Sequence, residues 1–338
     1  MKAIQEKTMK AIVQHEYGAP DVLALGEVDK PAVGDDEVLV EVRASSVNPA
    51  DWHMSTGTPY LVRPQAGLRT PKQTIPGKDV AGTIVAIGEG VTELQVGADV
   101  YGEVDGGAFA EYVAVRADLL APKPANLTFE EAAAVPLAAF TALQGVRDKG
   151  EVRPGQHVLV NGASGGVGIF AVQIAKALGA EVTGVCSTRN VDMVRSIGAD
   201  HVIDYTEDDF STGEQRYDVM IDNVGTGSLS DCRRVLNPDG VYVMIGGPKH
   251  RWLGPVRRMI AAMVYFRFVD QSFRWFVATA NQQDLNYLTD LIDAGKVTPV
   301  IDRRYSLAEV PEAMAYLGEG HTRGKSVITV SEGAAETA

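Results

Sequence analysis

The sequence predicts an α/β protein in which a doubly wound parallel sheet is inserted into a second domain built as a β-barrel. Three observations predict this fold class. A short apolar strand, His157–Asn161, leads through a glycine cluster into an apolar-periodic helix, Ile169–Ala175. Strand and helix patterns then alternate up to Gly246, as in a parallel sheet wound by right-handed crossovers. Residues 1–130 instead carry short alternating strands separated by glycine and proline.

The N-terminal strands are expected where apolar and polar residues alternate between turn residues. Met9–Ile12 repeats the opening Met1–Ile4, so either methionine could start the native chain. We expect the first eight residues and the C-terminal SEGAAETA to be loosely held. The strands are predicted at Lys10–Gln14, Glu37–Ala44, Val80–Ile87, Asp99–Tyr101 and Ala110–Val115.

The glycine cluster after His157–Asn161 has the form of a phosphate cradle. Gly165, Gly166 and Gly168 stand where backbone must approach a pyrophosphate without a Cβ in the way. Amide groups at the start of the following helix, which Gly179 closes, point at the anion, and the helix dipole adds partial positive charge. The glycine spacing alone also fits an ordinary strand-to-helix turn.

The elements that follow the cradle supply the context that favours a nucleotide-binding sheet. A cofactor would lie across the carboxyl ends of the parallel strands, beside Ser187, Asn223 and Gly246. The strands are predicted at Glu181–Cys186, Tyr217–Asn223 and Gly240–Gly246, and the helices at Val191–Ile197 and Ser230–Leu236.

The end of the second strand of this sheet indicates which dinucleotide is bound. An NAD site usually carries Asp or Glu about 20 residues past the glycines. Here the position is Ser187, followed by Thr188 and Arg189. A carboxylate would repel a 2′-phosphate by about 4 kcal/mol per charge pair at roughly 4 Å, whereas Arg189 can donate to it. The pattern favours NADPH, although Arg189 could also be a solvated residue at a helix start.

The C-terminal elements have no place in the nucleotide fold. A helix over Asp284–Ala294, a second helix over Val310–Leu317 and a strand over Lys325–Val330 are therefore assigned to the N-terminal domain. We predict one domain from residues 1–132 plus 281–338 and a dinucleotide-binding domain from residues 133–280.

Length and composition agree with two globular domains. The chain has 338 residues, of which 45% are hydrophobic and 22% charged, and this length exceeds what one core usually supports. The net charge of -13, without a long basic tract, argues against nucleic acid as a partner.

Cysteine use and hydropathy indicate the compartment. The two cysteines, Cys186 and Cys232, exclude a disulfide framework and are typical of a reducing environment. The N-terminus has no apolar signal-peptide core, and no run approaches the roughly 18 apolar residues of a membrane span. We expect a cytoplasmic protein without stable membrane insertion.

Several motifs, in this order and spacing, resemble those of the medium-chain dehydrogenase/reductase superfamily, and more narrowly its quinone oxidoreductase branch. The resemblance covers nearly the whole chain and implies a GroES-like catalytic domain, a Rossmann domain, NADPH between them, and a homodimer formed through the nucleotide domain. The motifs are Asn48–Asp51, Pro76–Gly82, Val96–Gly102, Gly107–Val113, Ala132–Val146 and Asn161–Gly168.

The resemblance also implies roles for individual residues. It places the Asn48 amide against both the nicotinamide and the substrate oxygen, where it could donate to a developing oxyanion. Tyr60, in the turn TGTPY, is a possible second donor or proton source, or else a packing residue. Tyr205 is expected at the 2′-phosphate, or is an aromatic residue at a strand end. The remaining cofactor contacts are Ser164, Gly165, Gly166 and Val167 at the pyrophosphate, Ser187 and Arg189 at the adenosine end, and Thr141, Asn223 and Gly246 at the nicotinamide half.

The chain departs from the zinc-dependent members at two ligand positions. Asn48 and Lys78 stand where those enzymes have a cysteine and a histidine, and an amide and an ammonium do not supply zinc ligands. His53 nearby is expected to be structural, and Asp51 to hold a turn. No metal is therefore expected, and a zinc alcohol dehydrogenase is the least favoured interpretation.

Without a Lewis acid, the chemistry must be one that hydride donation alone can drive. A quinone fits, as does an α,β-unsaturated carbonyl compound, and either is a small hydrophobic acceptor. Lys78 could complement the developing charge or pair with Asp51 or Asp79. The alternative is an NADPH-binding sensor or structural protein with little turnover.

Residues 249–275 lie outside the general pattern. They carry six basic residues against Asp270, a local charge of +5 in an acidic chain. The segment could contact an anionic membrane surface, form part of a dimer contact, or cap the substrate pocket. In the last case its aromatic residues would enlarge the pocket for a bulky acceptor; these are Trp252, Phe266, Phe268 and Phe273.

Overall fold

The computed structural model of the chain describes residues 7–247, 256–320 and 322–331. The chain forms two compact units. Unit 1 comprises Met1–Leu137, Ala280–Thr289 and Ile301–Ala338, and unit 2 comprises Ala138–Thr279 and Asp290–Val300.

The strands alternate with turns in unit 1 and with helices in unit 2. In chain order, the strands are β1 (Thr8–Val13), β2 (Ala24–Asp29), β3 (Glu37–Ser46), β4 (Asp79–Ile87), β5 (Asp99–Glu103), β6 (Tyr112–Arg116), β7 (Leu120–Pro122), β8 (His157–Asn161), β9 (Glu181–Cys186), β10 (His201–Asp204), β11 (Tyr217–Asp222), β12 (Leu236–Met244), β13 (Ser272–Trp275), β14 (Ile301–Ser306) and β15 (Lys325–Thr329).

The α-helices are between 4 and 12 residues long. In chain order, they are α1 (Pro49–Thr56), α2 (Arg63–Ala66), α3 (Phe129–Ala133), α4 (Pro136–Leu143), α5 (Gly166–Ala177), α6 (Val191–Ser196), α7 (Leu229–Arg234), α8 (Val256–Tyr265), α9 (Gln282–Asp293) and α10 (Val310–Glu319).

Unit 1 is built on a seven-stranded sheet. Its strands follow the order β14-β15-β3-β4-β5-β7, and β6 pairs with β3 as well. Antiparallel pairing joins β15 to β3, β3 to β4 and β4 to β5, and only β14 and β15 run parallel. Alternate residues of β3, namely Val38, Val40 and Val42, point into the core and are fully buried.

Unit 2 is a six-stranded parallel sheet in the order β10-β9-β8-β11-β12-β13. The order reverses beside β8, where the doubly wound fold has its ligand-binding crevice. Leu159, Met220 and Tyr242 lie in its buried core. The predicted class, a doubly wound sheet inserted into a barrel-like domain, is confirmed.

The unit boundaries differ from the predicted domain boundaries in two places. The first lies after residue 137 rather than 132, and residues 290–300 belong to unit 2 rather than to the N-terminal domain. The Gln173 side chain of α5 explains the second difference. Its amide donates to Thr298 O at 2.9 Å and its Oε1 accepts from Thr298 N at 2.8 Å.

The sequence interpretation missed α1, which it treated as a turn. Asn48 is the N-cap, Pro49 occupies the first helical position, and the Asp51 carboxylate accepts from Asn48 N at 2.9 Å. It also missed β2, β7, β10, β13 and β14, which are short or have mixed polarity.

Both cysteines of the chain lie in unit 2. Cys186 and Cys232 are free and buried, and burial raises their pKa values to about 11 and about 12. Both are therefore protonated thiols at neutral pH. Among the described residues, no helix has the length and apolar character needed to cross a membrane.

Candidate functional site

The predicted phosphate cradle lies at the carboxyl edge of the parallel sheet in unit 2. Strand β8 ends at Asn161, the chain turns through Gly162, and α5 begins at Gly166 with Gly165 as its N-cap. Ser164, Gly165, Gly166 and Val167 are therefore together at this helix start. The first N–H groups of a helix have no intrahelical acceptor, so this end suits a phosphate group.

Two glycines make the cradle sterically possible. Gly162 has a φ of +77°, which side-chain-bearing residues rarely adopt. A Cβ on Gly168 would lie 2.1 Å from Gly162 O, so only glycine allows α5 to pack so close to the turn. A Cβ on Gly165, by contrast, would meet only Gly162 O at 3.5 Å, which indicates open space over the helix start.

The residues predicted for the adenosine end also come together at this edge. Ser187 follows β9 and Tyr205 follows β10, and these strands are paired so that Cys186 lies beside Asp204. Tyr205 N donates to Cys186 O at 3.0 Å. Arg189 is exposed, and Tyr205 has 62% of its surface exposed.

Unsatisfied polar atoms mark the same edge. Asn190 is buried, and its amide donates to Ser164 Oγ at 3.1 Å and Ser187 Oγ at 3.2 Å. Its Oδ1 and that of Asn223 have no hydrogen-bond partner although both are buried. Such atoms fit the polar groups of a dinucleotide. The sequence interpretation missed Asn190, whose only sequence signal was its place just after Arg189.

One acidic residue near the adenosine end was also missed. A hydrogen bond from Thr188 holds the pKa of Asp204 below its usual value, so this carboxylate is ionised. Its Oδ1 also accepts from Thr206 N and Oγ1 at 3.0 and 2.7 Å.

Buried Asp222 fixes the backbone at the other half of the edge. Its Oδ1 accepts from Asn161 Nδ2 at 2.8 Å and Gly225 N at 2.9 Å. Its Oδ2 accepts from Tyr242 OH at 2.7 Å, and Arg258 lies 3.6 Å away.

These contacts hold two of the three residues predicted for the nicotinamide half. Asn223 Nδ2 donates to Asn161 O at 3.0 Å, and a Cβ on Gly246 would lie 1.9 Å from Asn223 O. Thr141 lies on α4, within unit 2 and half-buried.

In unit 1, the corresponding centre is the buried carboxylate of Asp79, at the start of β4. Oδ2 accepts from Ser46 Oγ at 2.6 Å and from Asn48 Nδ2 at 2.8 Å. Oδ1 accepts from Leu137 N at 2.9 Å, at the start of α4. Lys325 Nζ lies 3.3 Å from Oδ2 and completes a buried ion pair.

Lys325 joins Asn48 to this pair. Its ammonium donates to Asn48 Oδ1 and to Val47 O, the latter at 3.4 Å, so its three donors have three acceptors. The Asn48 amide also has acceptors for both N–H groups, Asp79 Oδ2 and Ser46 O, and only 1% of this residue is exposed. Its predicted donation to substrate stays a prediction, and would require one of these bonds to exchange.

The donor set of unit 1 does not fit a zinc ion. Zinc needs three protein ligands from cysteine, histidine or carboxylate side chains. Asn48 and Lys78 supply none, and both Asp79 oxygens already accept hydrogen bonds. His53 Nδ1 lies 2.6 Å from Thr58 O, which agrees with its expected structural role. Among the described residues, no cluster of three potential metal ligands occurs.

Tyr60 lies in a short 3-10 turn that follows α1. The Arg63 guanidinium stacks over its ring, 4.6 Å from the centroid, and over the Tyr17 ring at 4.7 Å. Arg63 Nε donates to Gly57 O at 3.1 Å, which fixes the cation. The Tyr60 side chain is half-buried, and its proton-source role stays a prediction.

A second acidic cluster surrounds Lys78. Its ammonium lies 3.3 Å from Glu103 Oε1, and burial raises the pKa of Glu103 to about 7. Asp51 lies at the first turn of α1 and is 2% exposed. Burial, together with the charge of Asp79, raises the pKa of Asp51 to about 7 as well.

Two arginines of the basic segment at 249–275 are held by contacts with other residues of unit 2. Arg258 points inward to Tyr242 and Asp222, and Arg274 pairs with Glu151 at 2.6 Å. Lys249, Arg251 and Trp252 lie outside the described residues.

The hypothesis that aromatic residues of this segment enlarge a pocket is wrong for two of them. Phe266 stacks on Tyr242 and Phe273, with ring centroids 5.5 and 5.9 Å apart, and both phenylalanines pack in or against the core of unit 2. Phe268, in contrast, is 81% exposed.

Two family models match the chain. The alcohol dehydrogenase GroES-like domain matches residues 34–125, and the zinc-binding dehydrogenase model matches residues 197–328. The first match lies within unit 1, and the second spans parts of both units.

Three similar proteins match this chain over nearly all of its length. It is 36% identical to 2-methylene-furan-3-one reductase of Solanum lycopersicum over 334 residues, which is 95% of this chain and 79% of the relative. It is 34% identical to the chloroplastic NADPH-dependent alkenal/one oxidoreductase of Arabidopsis thaliana, over 95% of this chain and 80% of the relative. The solved quinone oxidoreductase of Coxiella burnetii superposes with a TM-score of 0.84 at 30% identity, over 96% of this chain and 100% of that one.

Replacement of Asp79 by Asn should destabilise unit 1 by about 3–5 kcal/mol, because it leaves the Lys325 ammonium buried without its counter-charge. Lys325→Met should cost a similar amount. The double variant should lose less than the sum of both, since neither charge is then left unpaired. Urea unfolding followed by circular dichroism measures all three.

The exposed pair Arg116–Asp118 provides the control for these variants. Its side chains are 63% and 58% exposed, so Asp118→Asn should change stability by less than about 1 kcal/mol. Strict additivity of Asp79→Asn and Lys325→Met would contradict the coupling.

Proposed function

Because the chain belongs to the medium-chain dehydrogenase/reductase superfamily, in its quinone oxidoreductase branch, we propose that it is a zinc-independent reductase. It would transfer a hydride from NADPH to a quinone or to an α,β-unsaturated carbonyl compound. The names of its relatives, reductases of a methylene furanone and of alkenals and enones, support this acceptor class.

The observation that carries the proposal is the set of contacts around Asp79. At the two ligand positions of the zinc-dependent members this chain has the amide of Asn48 and the ammonium of Lys78, and both oxygens of Asp79 beside Asn48 already accept hydrogen bonds. Hydride addition to a simple ketone leaves a localised alkoxide charge, which a metal ion can stabilise as a Lewis acid. Quinones and enones are different, because conjugation delocalises the charge that hydride addition leaves. This centre suits acceptors of that kind.

The residues at the carboxyl edge of unit 2 would hold NADPH. The cofactor supplies a hydride from its nicotinamide ring when bound. Ser164, Gly165, Gly166 and Val167 at the start of α5 would bind the pyrophosphate through backbone N–H groups. Ser187, Arg189 and Tyr205 would bind the adenosine end, and Thr141, Asn223 and Gly246 the nicotinamide half.

In unit 1, the chain's own groups would orient the acceptor and supply charge. The Asp79 network fixes the start of α1 and therefore the position of Asn48. Tyr60 adds a hydroxyl held by the Arg63 stack. We keep Asn48 and Tyr60 as the proposed catalytic residues. The cytoplasmic location expected from the sequence stays a prediction.

We also propose that the protein is a homodimer formed through unit 2. Strand β13 ends the parallel sheet, with no further strand beyond it in the part of the chain that the structure describes. An unpaired sheet edge is a template for another chain. Exposed apolar side chains flank it, Phe268 at 81% and Val277 at 79% exposure. The outer face of α8 continues this surface with Ile260, Met263 and Val264, each more than half exposed.

An acceptor panel tests the reaction. Purified protein with NADPH should reduce quinones, enals or enones but not simple saturated ketones, followed by the loss of nicotinamide absorbance. A strong metal chelator should leave the rate unchanged. Silence across the panel despite tight NADPH binding would contradict the reductase and favour a binding protein.

Arg189→Ala tests the coenzyme. Loss of a charge-assisted hydrogen bond to the 2′-phosphate costs about 1.5–3 kcal/mol, which is a rise in the Kd for NADPH of about 10- to 150-fold. The Kd for NADH should hardly change. Titration of coenzyme fluorescence measures both. Arg216→Ala, an exposed arginine of the same unit that bonds only to nearby carbonyl groups, is the control. An equal loss for both coenzymes would contradict the assignment.

The double variant Phe268→Asp and Val277→Asp tests the dimer. The wild-type protein should sediment as a dimer in analytical ultracentrifugation, and the variant as a monomer, because four buried carboxylates cannot be accommodated in a symmetric interface. Leu25→Asp, at an exposed leucine of unit 1, should remain dimeric. A monomeric wild-type protein would overturn the proposal.

A further inference from the structure

The proposed reaction needs a proton source, and this inference rests on that proposed function. Hydride addition to the β-carbon of an enone converts NADPH to NADP⁺ and leaves an enolate. One proton per turnover must then reach the enolate to give the saturated ketone. The Asp79 network does not supply it, because its donors are already engaged around a buried ion pair.

A small pocket in unit 1 lies against α1. Its volume of about 30 Å³ is enough for one or two water molecules. The residues that line it include Gln14, Asp51, Ser55, Lys78 and Asp105. The pocket therefore brings a buried carboxyl group, a hydroxyl group and an ammonium group together around one polar cavity.

Ser55 adds a buried hydroxyl group to the lining of the pocket. Its residue is 4% exposed, and its Oγ has no hydrogen-bond partner. A buried hydroxyl without a partner costs about 1–3 kcal/mol, so water is expected on it. Gln14 closes this side, since its amide donates to Ser55 O at 2.6 Å and Glu16 O at 2.9 Å.

Asp51 is the group of this pocket best suited to exchange a proton. Among the described residues, only Asn48 N donates to it, whereas Asp79 has four donors. The charges that act on Asp51 are Asp79, which favours its protonated form, and Lys78 and Lys325, which favour the carboxylate. Glu103 pairs with Lys78, and Asp105 lines the same pocket as Asp51 and Lys78.

We infer that Asp51 is the proton reservoir of the reductase, and that it acts through the water of this pocket. The protonated carboxyl gives its proton to the pocket water, which passes one to the enolate. The new carboxylate is compensated by the Lys78 ammonium and takes a proton back from solvent. The carbon skeleton gains one hydride and one proton, and Asp51 is restored.

The raised pKa of Asp51, about 7, sets the sign of the pH dependence. Asp51 is protonated below this pH and ionised above it. The value of kcat for a small enone should therefore fall as the pH rises through about 7. An acid with a pKa near the working pH is also the most effective donor.

The test compares pH profiles of kcat for Asp51→Asn and the wild-type protein. The variant keeps an amide oxygen for Asn48 N, so α1 should retain its start. We expect kcat at pH 6 to fall by at least about tenfold and the inflection near pH 7 to disappear, with the Kd for NADPH unchanged. Infrared spectra of the protein without coenzyme should lose one protonated-carboxyl band that titrates near pH 7.

Two variants separate Asp51 from its competitors. Glu103→Gln removes the other carboxyl group whose pKa lies near 7, and Tyr60→Phe removes the other proposed proton source. Both should keep the inflection. Ser55→Val fills the pocket with methyl groups and should lower kcat and weaken the inflection, because Asp51 delivers its proton through the pocket water.

The outcomes decide between distinct failures. An unchanged rate and pH profile in Asp51→Asn overturns the inference, as does loss of the inflection in Glu103→Gln or Tyr60→Phe instead. If Asp51→Asn does not fold, an unchanged kcat in Ser55→Val overturns it. Failure of the wild-type protein to reduce any enone or quinone would instead sink the proposed function itself.

Discussion

The buried ion pair between Lys325 and Asp79 is the interaction on which unit 1 depends. Removing two charges from water costs several kcal/mol per ion, and the cost is offset only when the remaining donors and acceptors are satisfied. Here each lysine proton has an acceptor, and each carboxylate oxygen has a donor. The pair joins the first residue of β15 to the first residue of β4, 246 positions apart. Through Asn48 and Leu137 it also fixes where α1 and α4 begin.

Asp222 is a buried carboxylate of unit 2 whose hydrogen bonds are likewise satisfied. This carboxylate stands at the end of β11 and is fully buried, and it takes hydrogen bonds from Asn161, Tyr242 and the backbone of the following turn. The charge holds the ends of β8 and β11 in register at the edge that carries the predicted cofactor residues. In both units, then, a buried carboxylate at a strand terminus orients the loops that bear the site. Its burial makes the loop geometry rigid, because any displacement would leave a charge unpaired.

The elements that were predicted correctly from the sequence are those marked by a pattern of neighbouring residues. Alternation marked β3 and β4, and the glycine cluster with its flanking strand marked the start of α5. Helix α1 was also readable, because Asn48, Pro49 and Asp51 form an N-cap signature, yet it was taken for a turn. Contacts between side chains that are far apart in the chain could not be predicted from the sequence. Lys325 showed only as the start of a strand, and Arg258 counted as surface charge until Tyr242 and Asp222 appeared beside it.

Asp51 and Asp79 illustrate how two carboxylates bound to one asparagine can differ in chemistry. Both are buried in the same unit and bound to the same residue, Asn48, one through its backbone and the other through its side chain. Asp79 has a lysine and three further donors, so its negative charge is compensated where it stands. Asp51 has one backbone donor and an open side toward a polar pocket. The first arrangement holds a charge in place, and the second allows a charge to change. The proposed reduction of an enone would use both arrangements, a rigid centre at Asp79 and a carboxyl group at Asp51 that exchanges a proton.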